Sequence, residues 1–585
     1  MTSASANTLW ARSFTDELAR SGVREVVLAP GSRSTPLVLA FSRDERFRVR
    51  VQLDERSAAF FALGVGKAAR CPAVMVTTSG TAAANVLPAV VEAHESETPL
   101  LVLTADRPLH LRGADANQTI DQVRLYGEFV RDSFEVAEPK LKGPSLEHLR
   151  ALANRAVNAA SGPPSGPVHM NFPFDKPLEP EDPPEAFMSQ NGLAAHGRPD
   201  QVPLVSISPA RRSASDAQLA ELAESLEPSR GVIIAGPHSE ADRVGPAVWE
   251  FAAATNFPVL ADALSGARFG APDQVHVVGA YDFILRPKET IEFLKPSVIV
   301  RVGSSPTSSA LLNWMSAHNG VPHLVVDAGG RWKDHGVTAT TYVEADPADT
   351  LTRLAKQIKM SASLEWVASW RAVGMAAIEA LEAEAGIPHE GEILSIVSSA
   401  VIPQGSLFVS SSMPVRDLDV FGCPHSEKIH VYGNRGASGI DGIISTAFGV
   451  ASQCNSPVVC VLGDLAFFHD QNGLLWQRED DTAVVFVLID NNGGGIFHML
   501  PVAEHEPDFT RLIATPHGLD LSHAAALHGI VLRDVTIPEL RKELGRALVD
   551  GITTVLRVQT DRTESHQRRV ELAEAVGQSV REALR

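Results

Sequence analysis

The feature that most constrains the fold is a recurring unit. Short runs rich in Val, Ile and Leu close abruptly on Gly, Asp, Ser or Asn, and helical spacing follows each of them. "REVVLAPGS", "RGVIIAGP", "PSVIVRVGSS" and "SPVVCVLGD" are examples from well-separated parts of the chain. Continuous apolar runs of this length suit strands buried on both faces, and their alternation with helices predicts an α/β fold with mainly parallel sheets flanked by helices. Open sheets of that kind bind ligands beyond the carboxyl ends of their strands, so the residues just past each run are the first candidates for function.

Two breaks interrupt the alternation. Residues 176–203 are rich in Pro and acids and read as a linker over the surface, and a helical stretch starts near Leu364 before the pattern resumes. The expected domains are therefore 1–180, 204–360 and 388–585, joined by a linker at 181–203 and a helical linker at 361–387. At about 150 residues per domain, 585 residues suggest three or four.

A net charge of −19 argues against nucleic acid and anionic membrane surfaces as partners, while leaving room for small anions wherever arginines gather. The four cysteines, Cys71, Cys423, Cys454 and Cys460, form no C-x-x-C pair and no zinc spacing; reduced thiols in a cytoplasmic protein are expected. No window approaches 18 consecutive apolar residues, so no membrane span is expected. The N-terminus lacks a basic segment followed by an apolar one and reads as a polar lead into an amphipathic helix.

The densest candidate site lies near the C-terminus. "SPVVCVLGD" ends at Asp464, "LIDNNGGGIF" places Asn491 and three glycines after another apolar run, and Leu474, Leu475 and Trp476 between them suit a helix packed on a sheet. A right-handed crossover leaves Asp464 and Asn491 on one edge of a parallel sheet. The Asn-Gly stretch is either a tight turn or a set of hard oxygen ligands suited to Mg²⁺ and a diphosphate.

Glu55 opens an apolar helix just past a strand, where it serves either the helix dipole or chemistry. "GVGK" in that helix fails the phosphate-loop pattern, "GASGIDG" is not G-x-S-x-G, and H-E-x-x-H is absent, so hydrolase readings have little support. Arg33, Arg107, Arg416 and Arg435 occupy Gly- or Ser-rich loops after apolar runs, and Asn117 and Gln118 sit in "GADANQTI". Such arginines are either surface ion pairs or a pocket for carboxylates. Ser412 lies four residues before Arg416, on the same side of a helix starting there, or caps that helix.

"APGSRSTPL", "DERSAAFFALG", "TTSGTAAANVLPAVVEA", "PLLVLTADRP", "ANQTIDQ", "NRGASGIDG" and "GDLAFFHD…DNNGGGIF" together resemble the thiamine-diphosphate-dependent MenD family, the 2-succinyl-5-enolpyruvyl-6-hydroxy-3-cyclohexene-1-carboxylate (SEPHCHC) synthases of menaquinone biosynthesis. The match is dense in the first and third domains and sparse in the middle one. The resemblance implies pyrimidine-binding, central and diphosphate-binding domains, with thiamine diphosphate and Mg²⁺ or Mn²⁺ as cofactors. It implies a transferase in which the cofactor ylid adds to 2-oxoglutarate, CO₂ leaves, and the succinyl carbanion equivalent adds to the ring alkene of isochorismate.

By the same resemblance, Asp464, Asn491 and the carbonyl of Gly493 hold the metal. Glu55, Met413, Gly439, Ile440, Leu465 and Ala466 complete the cofactor site, with Glu55 at the aminopyrimidine and Ile440 under the cofactor's bend unless it is a core residue. Ser32, Arg33, Arg107, Asn117, Gln118, Ser412, Arg416 and Arg435 contact substrate, Arg33 and Gln118 with catalytic roles, and Ile496 and Phe497 form an apolar wall. A homodimer sharing active sites is the implied minimal unit, and a homotetramer of two such dimers is compatible with it. The chain departs from the family where a basic residue is common in the middle domain: Ser308, Ser309 and Ala310 stand there, and Arg286 and Arg301 are the cations left to compensate. A different 2-oxo acid decarboxylase or carboligase needs Glu55, Asp464 and Asn491 but not Arg33, Arg107 and Arg435 together; a catalytically silent thiamine-diphosphate-fold protein needs no Glu55.

Overall fold

The computed structural model describes residues 3–226, 230–329, 331–359, 361–384, 386–479 and 482–585. Met1 and Met360, at two of the expected domain limits, lie outside them, whereas every expected site residue lies inside. The α/β expectation holds: among the described residues three sheets form, and every strand pairing in them is parallel.

The first sheet contains β1 (Glu25–Leu28), β2 (Arg48–Val51), β3 (Ala73–Thr77), β4 (Leu100–Asp106), β5 (Asp132–Glu135) and β6 (Pro167–Pro173), ordered 2-1-3-4-6-5. The second contains β7 (Gly231–Ala235), β8 (Val259–Ala261), β9 (Val298–Val302), β10 (His323–Val326) and β11 (Thr341–Val343), ordered 11-10-9-7-8. The third contains β12 (Ser406–Val409), β13 (His430–Tyr432), β14 (Val458–Gly463), β15 (Val484–Asp490), β16 (Val531–Asp534) and β17 (Thr554–Gln559), ordered 13-12-14-15-17-16.

Contacts gather the chain into two compact units. One comprises Met1–Ala210, Asn434–Asn455 and His469–Thr482; the other comprises Arg211–Gly433, Ser456–Phe468 and Ala483–Arg585. The stretch 388–585 therefore contributes to both. Within the first unit, helix Glu55–Ala69 is apolar nearly all round and buried from Ser57 to Lys67. It meets helix Ile443–Ala451 backbone to backbone: a Cβ on Gly64 would lie 2.2 Å from the Thr446 carbonyl oxygen. The glycine that imitates a phosphate loop in "GVGK" is thus spent on helix packing.

Three local expectations need correction. The expected amphipathic N-terminal helix forms, but it already includes the polar residues from Ser3 onward: helix Ser3–Arg20 starts with the first described residue, and Asn7 donates its amide to the carbonyls of Asp175 and Pro177 at 2.7 and 3.1 Å. The surface linker carries two short helices, Glu185–Gln190 and Gly192–His196, and Arg150 binds the carbonyls of Ala194 and Ala195 at 2.8 and 3.0 Å. The crossover between β14 and β15 is a one-and-a-half-turn helix, Asp464–His469, then a 3₁₀ run, Gln471–Arg478. Asn472 and Gly473 are poor α-helix formers, and Trp476 stacks on the helical Phe61 with ring centroids 4.0 Å apart instead of lying on a sheet.

In the second unit, helix Leu364–Ala383 buries Trp366, Trp370, Val373 and Ala377 in the same core as β7 and β9. The departure at 308–310 has a local purpose. Ser308 caps helix Ser309–Ala317 through the Leu311 N–H and donates to Asp282 at 2.6 Å. Arg286 pairs with Asp282 at 2.6 Å, and buried Arg301 pairs with Asp334 at 3.1 Å, so both cations proposed to compensate are committed to acids.

Candidate active site

Many of the expected site residues follow the carboxyl ends of strands. In the first sheet Ser32 and Arg33 follow β1, Glu55 follows β2 and Arg107 follows β4; in the third, Ser412 follows β12, Arg435 follows β13, Asp464 follows β14 and Asn491 follows β15. The residues fall into two groups, one in each compact unit.

In the first unit, Asp54 caps helix Glu55–Ala69 by accepting from the Arg56 and Ser57 N–H groups. With the cap supplied by its neighbour, part-exposed Glu55 has only a long contact, 3.4 Å, from the Asn85 amide. Arg33 and Arg107 are both buried, and Arg33 donates to the Phe174 carbonyl at 2.8 Å. Burial, then the neighbouring Arg107 guanidinium, draws Arg33 below its ordinary pKa, while Asp175 and Asp106 oppose. Arg107 donates to the Ser79 hydroxyl, that hydroxyl donates to the Gln118 carbonyl at 3.0 Å, and the Gln118 amide returns a bond to the Ser79 carbonyl at 3.0 Å. Ser32 and Asn117 are exposed.

The loop after β13 is also fixed in this unit. Buried Glu92 accepts from the Gly436 and Ala437 N–H groups at 3.0 and 2.7 Å and pairs with Lys67 at 3.3 Å. That anchors the stretch carrying Arg435, Gly439 and Ile440. Ile440 is part-exposed and outside the core, and Arg435 keeps a buried Nε–H without a hydrogen-bond partner.

In the second unit, β14 and β15 are in register with Gly463 opposite Ile489, which brings their ends together. Asp464 Oδ1 accepts from the Leu465 N–H at 2.6 Å; Oδ2 accepts from the Gly493 N–H at 2.9 Å and faces His517 Nε2 at 3.2 Å. Ligand atoms of Asp464, Asp490 and His517 all lie within 4.8 Å of one another. The Leu519 N–H donates to His517 Nδ1 at 3.0 Å, which leaves Nε2 to donate to Asp464 and orient that carboxylate. Asp490 is raised above its ordinary pKa by burial and then by Asp464.

Asn491 supplies the test of fit to a metal. Its amide nitrogen donates to Glu390 at 2.9 Å, and its Oδ1 is buried with no hydrogen-bond partner. A buried acceptor left bare is costly, and a hard cation would satisfy it. With the Asp464 carboxylate and the Gly-rich turn at Gly493, the donor set would suit a hard cation such as Mg²⁺. Ser412 has φ +74° with no side-chain cap bond, which removes the capping role, and its carbonyl accepts from Arg416 at 2.6 Å. A non-glycine residue held there stores strain of the kind that gathers at functional sites. Met413, Leu465, Ile496 and Phe497 are part-buried and Ala466 is buried. Glu390, His517, Asn85 and Ser79 were not named from the sequence; Ser79 and Asn85 lie within "TTSGTAAANVLPAVVEA", and "TPHGLD", a His beside a Gly turn, offered a signal for His517.

Comparison with known proteins decides the family. Residues 10–125 match the thiamine pyrophosphate enzyme N-terminal TPP binding domain, and residues 200–409 match the middle domain of thiamine pyrophosphate enzymes. The 2-succinyl-5-enolpyruvyl-6-hydroxy-3-cyclohexene-1-carboxylate synthase of Halobacterium salinarum is 43% identical over 98% of this chain and 99% of its own. The chain belongs to the SEPHCHC synthase family. Another relative bearing that name, from Roseiflexus castenholzii, is 42% identical over 97% of this chain and 98% of its own. The fold extends beyond these synthases: benzoylformate decarboxylase from Polynucleobacter necessarius superposes with a TM-score of 0.71 at 18% identity, over 94% of this chain and 98% of its own. As in other SEPHCHC synthases, thiamine diphosphate is the cofactor. Among the described residues, no helix is long and apolar enough to cross a membrane.

Proposed function

We propose that this SEPHCHC synthase family member decarboxylates 2-oxoglutarate and joins the succinyl unit to isochorismate by conjugate addition, releasing CO₂ and forming SEPHCHC for menaquinone biosynthesis. The observation that carries the substrate class is the pair of buried, neighbouring guanidiniums, Arg33 and Arg107, in a chain of net charge −19. Two cations that disfavour one another call for an anion, and both substrates are dicarboxylates.

Asp464, Asn491 Oδ1 and the Gly493 carbonyl would hold Mg²⁺ or Mn²⁺, and Glu55 would meet the aminopyrimidine. Thiamine diphosphate, when bound, supplies the electron sink that loss of CO₂ from a 2-oxo acid requires. Glu55, its helix cap supplied by Asp54, is available for general acid–base work. Arg33, Arg107 and Gln118 orient the carboxylates, with the Ser79 hydroxyl fixing Arg107 against Gln118. Arg416 and Arg435 add cations, and Ile496 and Phe497 exclude water. The reading carries with it a cytoplasmic homodimer with shared active sites.

Comparing CO₂ release from 2-oxoglutarate and from pyruvate tests the substrate class. The parent chain should favour the dicarboxylate strongly, and Arg107→Ala should erase much of the preference. Equal rates in the parent would contradict the assignment.

A further inference from the structure

We propose that Glu390 is a positioning residue for the metal, fixing which end of the Asn491 amide is left open to the cation. The inference rests on the reading of Asn491 as a metal ligand. Glu390 opens helix Glu390–Ala400 and is 5% exposed. Its Oε1 accepts from Asn491 Nδ2 at 2.9 Å and from the Thr560 hydroxyl at 2.7 Å. Burial raises Glu390 above its ordinary pKa, while the hydrogen bonds from Asn491 and Thr560 and the Arg569 guanidinium oppose.

A carboxamide presents an acceptor and a donor of nearly equal size, so packing alone discriminates poorly between its two orientations. Glu390 Oε1 already accepts from the Thr560 hydroxyl and serves as an acceptor toward Asn491 as well. Facing it, the nitrogen of Asn491 must turn inward, which directs Oδ1 away from Glu390 as the buried, unpartnered oxygen. Turned the other way, the amide would set two oxygens against each other and offer a cation an N–H₂ group. Groups behind a ligand that fix its orientation commonly govern affinity by ten- to hundredfold. Glutamine in place of Glu390 keeps the volume but loses the discrimination, because its own amide can pair with Asn491 either way round.

The test is Mn²⁺ binding to the full-length chain with thiamine diphosphate present, followed by electron paramagnetic resonance, with Glu390→Gln, Asn491→Ala, the double variant and Thr560→Val. Glu390→Gln should weaken Mn²⁺ about 10- to 100-fold. Asn491→Ala should weaken it at least as much, and the double variant should lose little beyond Asn491→Ala, since both act through one ligand atom. Thr560→Val removes the other donor to Oε1 but keeps the carboxylate, and should bind Mn²⁺ within about twofold of the parent, a margin below about 0.5 kcal/mol. Parent-like binding by Glu390→Gln beside a loss in Asn491→Ala overturns the positioning role and leaves the ligand standing. Parent-like binding by Asn491→Ala overturns the ligand assignment itself. A loss in Thr560→Val equal to that in Glu390→Gln also overturns the proposal, because general disturbance of the pocket would then account for both.

Discussion

The Gly493 N–H donates to Asp464 Oδ2 at 2.9 Å, tying the turn after β15 to the end of β14. The turn passes through φ +136° at Gly493, where a Cβ would also meet the Ala514 carbonyl oxygen at 2.3 Å. Gly493→Ala is therefore expected to displace the turn and remove the response to cofactor. Saturating thiamine diphosphate and Mg²⁺, at about a hundred times their dissociation constants, should stabilise the parent by about 2.7 kcal/mol. Thermal melting should show that gain reversed by a chelator and absent in Gly493→Ala.

Arg33 and Arg107 are expected to act on substrate recognition. Hydrogen bonds to charged groups contribute about 1.5–3 kcal/mol, so each alanine variant should lose roughly 10- to 150-fold in kcat/KM for 2-oxoglutarate. Arg107→Lys should recover little, because a point charge cannot reproduce a planar fork held by Ser79. Steady-state rates over a range of 2-oxoglutarate concentrations read this directly.

Acid should weaken the fold through buried histidines. His169, between Tyr126 and the Thr104 hydroxyl, is lowered by burial to about 4 from an ordinary 6.5. Between those values the unfolded chain binds a proton that the folded chain refuses. The stability is therefore complete above pH 6.5 and falls as pH drops towards 4, by up to about 3 kcal/mol. Urea unfolding at pH 7 and pH 5 should show a smaller loss in His169→Gln than in the parent.

What the sequence made legible follows from what each signal depends on. The ends of β14 and β15 could be read because apolar runs closing on Gly-Asp and Asp-Asn are local, and parallel pairing with Gly463 opposite Ile489 did the rest. Glu390 and His517 could not be read: their partners, Asn491 and Asp464, lie 101 and 53 residues away, and nothing in the spacing joins them. Gly64 sat in a phosphate-loop imitation, yet its purpose is the approach of helix Ile443–Ala451. The 3₁₀ run at Gln471–Arg478 was hidden by its apolar residues, since Leu474 and Trp476 are as buried as a helix would make them while Asn472 and Gly473 spoil the geometry.

Glu55 carries the account's proton chemistry. General acid–base groups contribute about 10²–10⁴-fold, so Glu55→Gln should lower kcat over that range. Binding of thiamine diphosphate by the same variant, read by calorimetry, should stay within about tenfold of the parent, or about 1.4 kcal/mol.

The most direct measurement is CO₂ release from 2-oxoglutarate with thiamine diphosphate and Mg²⁺, run with and without isochorismate while isochorismate loss is followed and the adduct is weighed by mass spectrometry. The account predicts that CO₂ and isochorismate change in equal amounts, that the adduct has the mass of SEPHCHC, and that Glu55→Gln suppresses both. Steady CO₂ release with isochorismate untouched would contradict it, leaving a thiamine-diphosphate decarboxylase with a different acceptor.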